Sequence, residues 1–215
     1  MVREERVTIP CRGIRLEGLL SLGEALSVKG GMVLCHPHPL YGGDMHNRVI
    51  AVSCEAAREE GYATLRFNFR GVGGSEGNYD EGIGEKEDVA SAIEFLHSAL
   101  NRRDVPLSFL GYSFGAWVGL PVAMNDPRVR KVVAISPPLE IYDFSYFKGF
   151  KGEKLILAGD RDEWCPLSRL KQWYETLDEP KSLTILEGAD HFYSFQSNLI
   201  TQPLRDFLRM GTSRY

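Results

Sequence analysis

Hydrophobic positions along this chain fall into two alternating rhythms. Short, nearly uninterrupted apolar runs occupy Met32–His36, Ala63–Phe69, Leu107–Gly111, Lys131–Ile135, Lys154–Ala158 and Ser182–Leu186. Runs of that length and character predict strands covered on both faces of a sheet. Between them the spacing changes to the helical one. Val89, Ile93, Leu96 and Leu100 form one stripe, and Ile200, Leu204, Phe207 and Leu208 another. A third stripe, Leu167, Leu170, Tyr174 and Leu177, begins just after Pro166, a residue suited to a first helical turn. At the N-terminus, Val7–Ile9 and Ile14–Leu20 flank Gly13 and predict an antiparallel hairpin at a sheet edge. A hairpin followed by repeated strand–helix units predicts an α/β fold with a doubly wound, mostly parallel sheet and helices on both faces. In such a sheet the loops at the carboxyl ends of the strands build the site.

The 215 residues suffice for one sizeable core and predict a single domain over 1–215, with no repeat or linker to divide it. A net charge of -4 gives no concentration of Lys and Arg, which argues against nucleic acid as a partner. No apolar run approaches the roughly 20 residues of a membrane span, and the stretch 1–6 lacks a signal-type apolar segment. A soluble, cytoplasmic protein is expected, with its oligomeric state left open. Cys11, Cys35, Cys54 and Cys165 stand far apart, so buried free thiols are expected in preference to a zinc site or disulfides.

The carboxyl-end rule directs attention to Gly111-Tyr112-Ser113-Phe114-Gly115, which ends the strand at Leu107 and leads into a helical run over Ala116–Met124. A serine on a sharp strand-to-helix turn sits in strained backbone, and glycines two residues to either side remove the Cβ atoms that would collide. Its hydroxyl needs a base, and the base needs an orienting carboxylate, in the chain order Ser, acid, His. His191 is the only histidine after Ser113 and lies just past the strand ending at Leu186. Asp160, Asp162 and Glu163 compete for the acid after the strand ending at Ala158. Asp162 stands far enough beyond the strand to turn toward a neighbouring loop, whereas Asp160 suits a turn-holding role, as does Asp190 in its own loop.

Acyl chemistry also requires N–H donors where negative charge develops. The backbone N–H of Phe114 is one candidate. The other is expected from the loop Cys35-His36-Pro37-His38-Pro39-Leu40-Tyr41-Gly42-Gly43, where the prolines cannot donate. His38 is the candidate there and Leu40 the fallback. His36 is read as a structural histidine bonded to backbone, and His46 and His97 receive no role. A metal reading of His36, His38 and Asp44 lacks the ligand set such a site requires. The stretch Arg70-Gly71-Val72-Gly73-Gly74-Ser75-Glu76-Gly77 invites a dinucleotide reading, but Glu76 stands where a third glycine belongs and a polar loop continues through Gly84. It is read as a tight turn, with Arg70 tying loops together through carboxylates.

With these pieces assembled, the chain resembles the α/β-hydrolase superfamily over nearly its whole length. It is most similar to small members without a cap, the dienelactone hydrolase-like enzymes and an "HPHP" group. The resemblance rests on Cys35–Gly43, Arg66–Gly77, Gly111–Gly115, Gly159–Pro166 and Gly188–Phe192. It implies a catalytic set of Ser113, Asp162 and His191, an oxyanion hole near His38 and Phe114, and no cofactor. Dienelactone hydrolases carry cysteine at the elbow, so Ser113 favours ordinary ester chemistry. The expected activity is hydrolysis of a small or short-chain carboxyl ester or thioester, with a peptidase, a lactonase or a non-catalytic ligand-binding protein as alternatives. Where a cap would sit, Leu139–Gly152 is too short for a domain but carries Tyr142, Phe144, Tyr146, Phe147 and Phe150. Those aromatics fit core packing and an acyl-binding wall equally well.

Overall fold

The computed structural model describes residues 4–23, 28–102 and 104–210. Residues 1–3, part of the N-terminal stretch read above for targeting signals, lie outside the described residues. Strands β1 (Glu5–Cys11) and β2 (Ile14–Ser21) form the expected hairpin, its turn made by Arg12 at φ 38° and Gly13 at φ 91°. Two positive φ angles in a two-residue turn match the twist of the strands they join. The remaining strands are β3 (Gly30–Cys35), β4 (Tyr62–Phe67), β5 (Leu107–Tyr112), β6 (Val129–Ile135), β7 (Glu153–Gly159) and β8 (Lys181–Leu186). All eight lie in one sheet, ordered β1-β2-β4-β3-β5-β6-β7-β8, with β2 antiparallel to β4 and every pair from β4 to β8 parallel.

Among the described residues five α-helices cover it: α1 (Arg48–Glu59), α2 (Gly84–Leu100), α3 (Phe114–Ala123), α4 (Leu167–Glu175) and α5 (Thr201–Arg209). Val89, Ala92 and Leu96 of α2, Val118 and Leu120 of α3 and Leu170 of α4 pack in one cluster on one face. Val49, Ile50 and Cys54 of α1 and Leu204, Phe207 and Leu208 of α5 pack in a second cluster on the other. The central strands β3, β4 and β5 are buried at every position, which explains their unbroken apolar runs, whereas edge strand β1 alternates. Lys131 and Lys154, buried within strand runs, end their side chains on carbonyl oxygens, Lys131 on those of Phe207 and Met210 and Lys154 on those of Phe150 and Gly152. All four cysteines are buried and free.

Some boundaries differ from the sequence reading for identifiable reasons. The strand expected to reach Phe69 stops at Phe67, because the Phe69 N–H is taken by His36 Nε2 and not by a neighbouring strand. The strand expected to include His36 ends at Cys35, ahead of Pro37. Pro166 caps α4 from outside its first turn, and α4 stops at Glu175, leaving Leu177 buried beyond the helix end. No described helix is long and apolar enough to cross a membrane.

Candidate active site

The turn after β5 is a strained one. Ser113 adopts φ 54° and ψ −119° between β5 and α3, and its N–H donates to Ile135 O at 2.9 Å. A non-glycine residue there costs about 1–3 kcal/mol and persists only where its surroundings fix it. The flanking glycines are what permit it. A Cβ at Gly111 would lie 2.5 Å from Ala116 Cα, and one at Gly115 would lie 2.4 Å from Cys35 O and 2.6 Å from His36 O. Those are backbone atoms, which cannot rotate away. The hydroxyl is thereby presented at the positive end of α3.

The loops after β7 and β8 bring Asp162 and His191 to it. His191 Nε2 lies 2.9 Å from Ser113 Oγ, and Nδ1 lies 2.9 Å from each Asp162 carboxylate oxygen. Asp162 Oδ1 also accepts the N–H groups of Trp164 and Cys165, each at 3.0 Å. Burial alone would raise the Asp162 pKa. The hydrogen bond and charge of His191, the Ser136 hydroxyl and the Cys165 N–H outweigh it and hold the carboxyl below its ordinary range. An ionised carboxylate only accepts, so Nδ1 carries the proton and Nε2 is left as the acceptor for the Ser113 hydroxyl. The indole of Trp164 packs 4.4 Å from the imidazole, centroid to centroid.

The competing carboxylates are occupied elsewhere. Asp160 accepts the N–H of Gly188 at 2.7 Å, tying the β7 loop to the β8 loop, and Asp190 accepts those of Phe192 and Ser194, each at 3.1 Å. In the β3 loop, His36 is fully buried: Nδ1 donates to Pro37 O at 2.7 Å and Nε2 accepts the Phe69 N–H at 3.1 Å. Burial drives its pKa down to about 4 despite the Pro37 carbonyl. The Leu40 N–H is already directed to His38 Nδ1 at 3.2 Å, which removes the fallback donor. Within the loop, Tyr41 and Gly43 donate to His38 O and Gly42 to Pro39 O, leaving the His38 N–H for another acceptor. Phe114 opens α3, so its N–H has no intrahelical partner. The His38 and Phe114 rings lie 4.8 Å apart. Among the described residues no cluster of His, Cys, Asp and Glu has the arrangement of a metal site.

Arg70 does tie elements together: its guanidinium meets Asp88 of α2 at 2.8 Å, and α2 begins at Gly84, where the polar loop ends. The aromatics of Leu139–Gly152 divide between the two roles considered for them. Phe144, Phe147 and Phe150 are buried in the core, with Phe147 stacked on Trp173. Tyr146 donates to Trp117 O at 3.1 Å, the carbonyl whose helical partner is lost at Pro121. Tyr142 instead stacks on Trp117 at 4.0 Å and lies 6.4 Å from the Phe114 ring.

Three further side chains at this end of the sheet escaped the sequence reading. The Tyr112 hydroxyl donates to His191 O at 2.6 Å, and the hydroxyls of Ser136 and Tyr193 lie 2.8 Å apart. Their positions offered one signal each: Tyr112 and Tyr193 flank the candidate serine and histidine in sequence, and Ser136 directly follows a buried strand.

Known proteins share this frame. A family model described as X-Pro dipeptidyl-peptidase (S15 family) matches residues 33–172, from β3 through most of α4. An uncharacterized protein of Rickettsia prowazekii (strain Madrid E), RP471, is 34% identical over 209 residues, covering 94% of this chain and 87% of that protein. The solved structure of XC6422 from Xanthomonas campestris, a member of the α/β serine hydrolases without a lid, superposes with a TM-score of 0.86 at 29% identity, over 99% of this chain and 97% of that one. A shorter stretch, 83 residues or 38% of this chain and 24% of the relative, is 37% identical to the human mitochondrial palmitoyl-protein thioesterase ABHD10. With the sheet order, the strained serine turn and a family match over well more than half its length, this chain belongs to the X-Pro dipeptidyl-peptidase (S15) family within the α/β serine hydrolases.

Proposed function

We propose that Ser113, His191 and Asp162 form the catalytic triad of a hydrolase acting on a small or short-chain carboxyl ester or thioester. The observation that carries this reading is the unbroken run of contacts from hydroxyl to imidazole to carboxylate, each at 2.9 Å, on a backbone strained at the serine. Ser113 attacks the carbonyl carbon while His191 Nε2 takes its proton, and Asp162 holds the imidazole in the required tautomer. The N–H groups of Phe114 and His38 receive the developing oxyanion. His191 then protonates the leaving group, and water, deprotonated by the same nitrogen, releases the acyl group from Ser113.

The substrate class rests on surroundings. Tyr41, Ile141, Phe192 and Phe195 are exposed on loops that follow β3, β6 and β8, at the same end of the sheet as Ser113. An apolar rim with Tyr142 and Trp117 behind it suits an ester with an apolar acyl group. The partial likeness to a palmitoyl-protein thioesterase extends the same chemistry to thioesters. The family description favours a second reading, cleavage of an amide bond by the same groups.

A fluorophosphonate probe tests the core of the proposal. One equivalent is expected on Ser113, with none on Ser113→Ala; a folded wild-type protein that takes up no probe would refute the enzyme reading and leave a ligand-binding protein. A panel of nitrophenyl esters of rising chain length, thioesters, lactones and prolyl nitroanilides then ranks substrates by kcat/KM, with esters or thioesters expected ahead. Faster nitroanilide turnover would assign the peptidase instead.

A further inference from the structure

We infer that Tyr112 is the positioning residue of the base: its hydroxyl, on the residue just before Ser113, holds the backbone carbonyl of His191 and so sets the reach of the imidazole to the nucleophile. The inference deepens the triad reading and rests on it. The histidine has far to come. β8 is an edge strand, and β7 and β6 separate it from β5, which ends at the serine turn. At about 4.8 Å per strand, the loop after β8 must carry its histidine back about 14 Å. Hydrogen bonds hold that loop down at each strand it crosses. Over β7, Asp160 accepts the Gly188 N–H at 2.7 Å and Ala189 O accepts the Arg161 N–H at 3.0 Å. Over β6, the hydroxyls of Tyr193 and Ser136 lie 2.8 Å apart. At β5, the Tyr112 hydroxyl donates to His191 O at 2.6 Å.

Only the last of these contacts is made to His191 itself. Among the described residues it is the one hydrogen bond to the His191 backbone; the imidazole makes the others, to Ser113 and Asp162. Tyr112 and Ser113 are adjacent, so nucleophile and base are both fixed to one dipeptide at the end of β5. The Tyr112 ring is buried in the cluster beneath α1 and α5, edge-on to Tyr193 with centroids 6.0 Å apart. A phenylalanine would fill the same space. What a tyrosine adds is the hydroxyl, and its single hydrogen is committed to His191 O. Burial first, and then the charges of Asp162 and Asp190, push the phenol pKa up, so the donor keeps its proton.

Positioning and packing leave different signatures. A base displaced from the hydroxyl slows the chemical step and leaves substrate binding alone. Tyr112→Phe is therefore expected to lower kcat for nitrophenyl acetate roughly 10-fold with KM unchanged, and to slow fluorophosphonate labelling of Ser113 by a similar factor. The decisive comparison is made in His191→Ala, where the Tyr112 hydroxyl still has the carbonyl of residue 191 to hold but no imidazole to place. There the losses should not add: the double variant should match the residual kcat/KM of His191→Ala within about twofold. Additive losses in that cycle would make the bond a structural one. Wild-type kcat in a folded Tyr112→Phe, or a change confined to KM, would likewise overturn the inference while leaving the triad standing. Wild-type kcat in His191→Ala, or no label on Ser113 in the wild type, would instead remove the triad and this inference together. Should Tyr112→Phe fail to fold, the same cycle run with Tyr112→Met, which fills the space flexibly and offers no donor, decides the point.

Discussion

At the scale of single residues, the site is a matter of which proton sits where. Asp162 accepts two backbone N–H groups and the Nδ1–H of His191, so the proton of the neutral imidazole is committed and Nε2 faces Ser113. Asp162→Asn keeps the shape but offers an amide N–H toward Nδ1, turning the tautomer around. In the triad reading kcat falls on the order of 10⁴-fold while fluorescence-monitored unfolding shows a folded protein; an asparagine variant of near-normal kcat would displace Asp162 from its role. Strain is separable from chemistry at Ser113. Both Ser113→Gly and Ser113→Ala lose the nucleophile, but only glycine relaxes φ 54°. The glycine variant should exceed the alanine variant by about 1 kcal/mol in urea unfolding, strain relief outweighing glycine's entropic cost. What the sequence disclosed at this scale followed from forced choices: one histidine after Ser113, and one of three carboxylates placed to reach it. Ser136 and Tyr193 gave no comparable sign, because a positive φ on a non-glycine residue is imposed by neighbours distant in the chain.

At the scale of elements, the elbow is a three-way contact of β5, α3 and the end of β3. Periodicity located these elements because burial on both faces leaves its mark in the sequence, as the fully buried β3, β4 and β5 show. Their ends were less legible. Phe69 and His36 leave the sheet because a side chain, His36 Nε2, replaces a strand as hydrogen-bond partner, and no periodicity encodes that exchange. The segment Leu139–Gly152 was ambiguous for a related reason: aromatic composition is the same for a core plug and for a wall, and only packing separated Phe144, Phe147 and Phe150 from Tyr142. The elbow contact itself yields a measurable expectation. Gly115→Ala drives a Cβ into the carbonyls of Cys35 and His36, so α3 and β3 must part. The cost should be about 3 kcal/mol, read as a fall in Tm of roughly 6–12 °C. If Phe114 is the oxyanion donor proposed above, kcat should fall as well, since that movement displaces its N–H from Ser113. A Gly115→Ala protein with unchanged Tm would show that the turn has slack that the backbone distances deny.

At the scale of the whole molecule, the candidate site depends on one buried histidine that takes no part in the chemistry. His36 bridges the end of β3 to Phe69 beyond β4 and, through Pro37, sets the loop that carries His38. It accepts a hydrogen bond at Nε2 and so must be neutral. Its pKa falls from 6.5 to about 4 on folding, driven first by burial. The sign follows directly. Between those values the unfolded chain binds a proton that the folded one does not, so stability is fully present above about pH 6.5 and declines as pH falls toward 4. A shift of that size corresponds to roughly 3 kcal/mol. Asp162, whose folded pKa is also held down, loses its contribution only at lower pH, beneath the ordinary carboxylate range. Acid should therefore act on this protein in two stages, first through His36. Urea midpoints measured at intervals from pH 7.5 to 4 should fall steadily for wild type. His36→Gln, less stable at neutral pH because it disturbs the Phe69 bond, should show a nearly flat profile across the same window. An unchanged slope in that variant would place the acid sensitivity in other groups, and would mean that the loop bearing His38 is held by something besides the neutral imidazole.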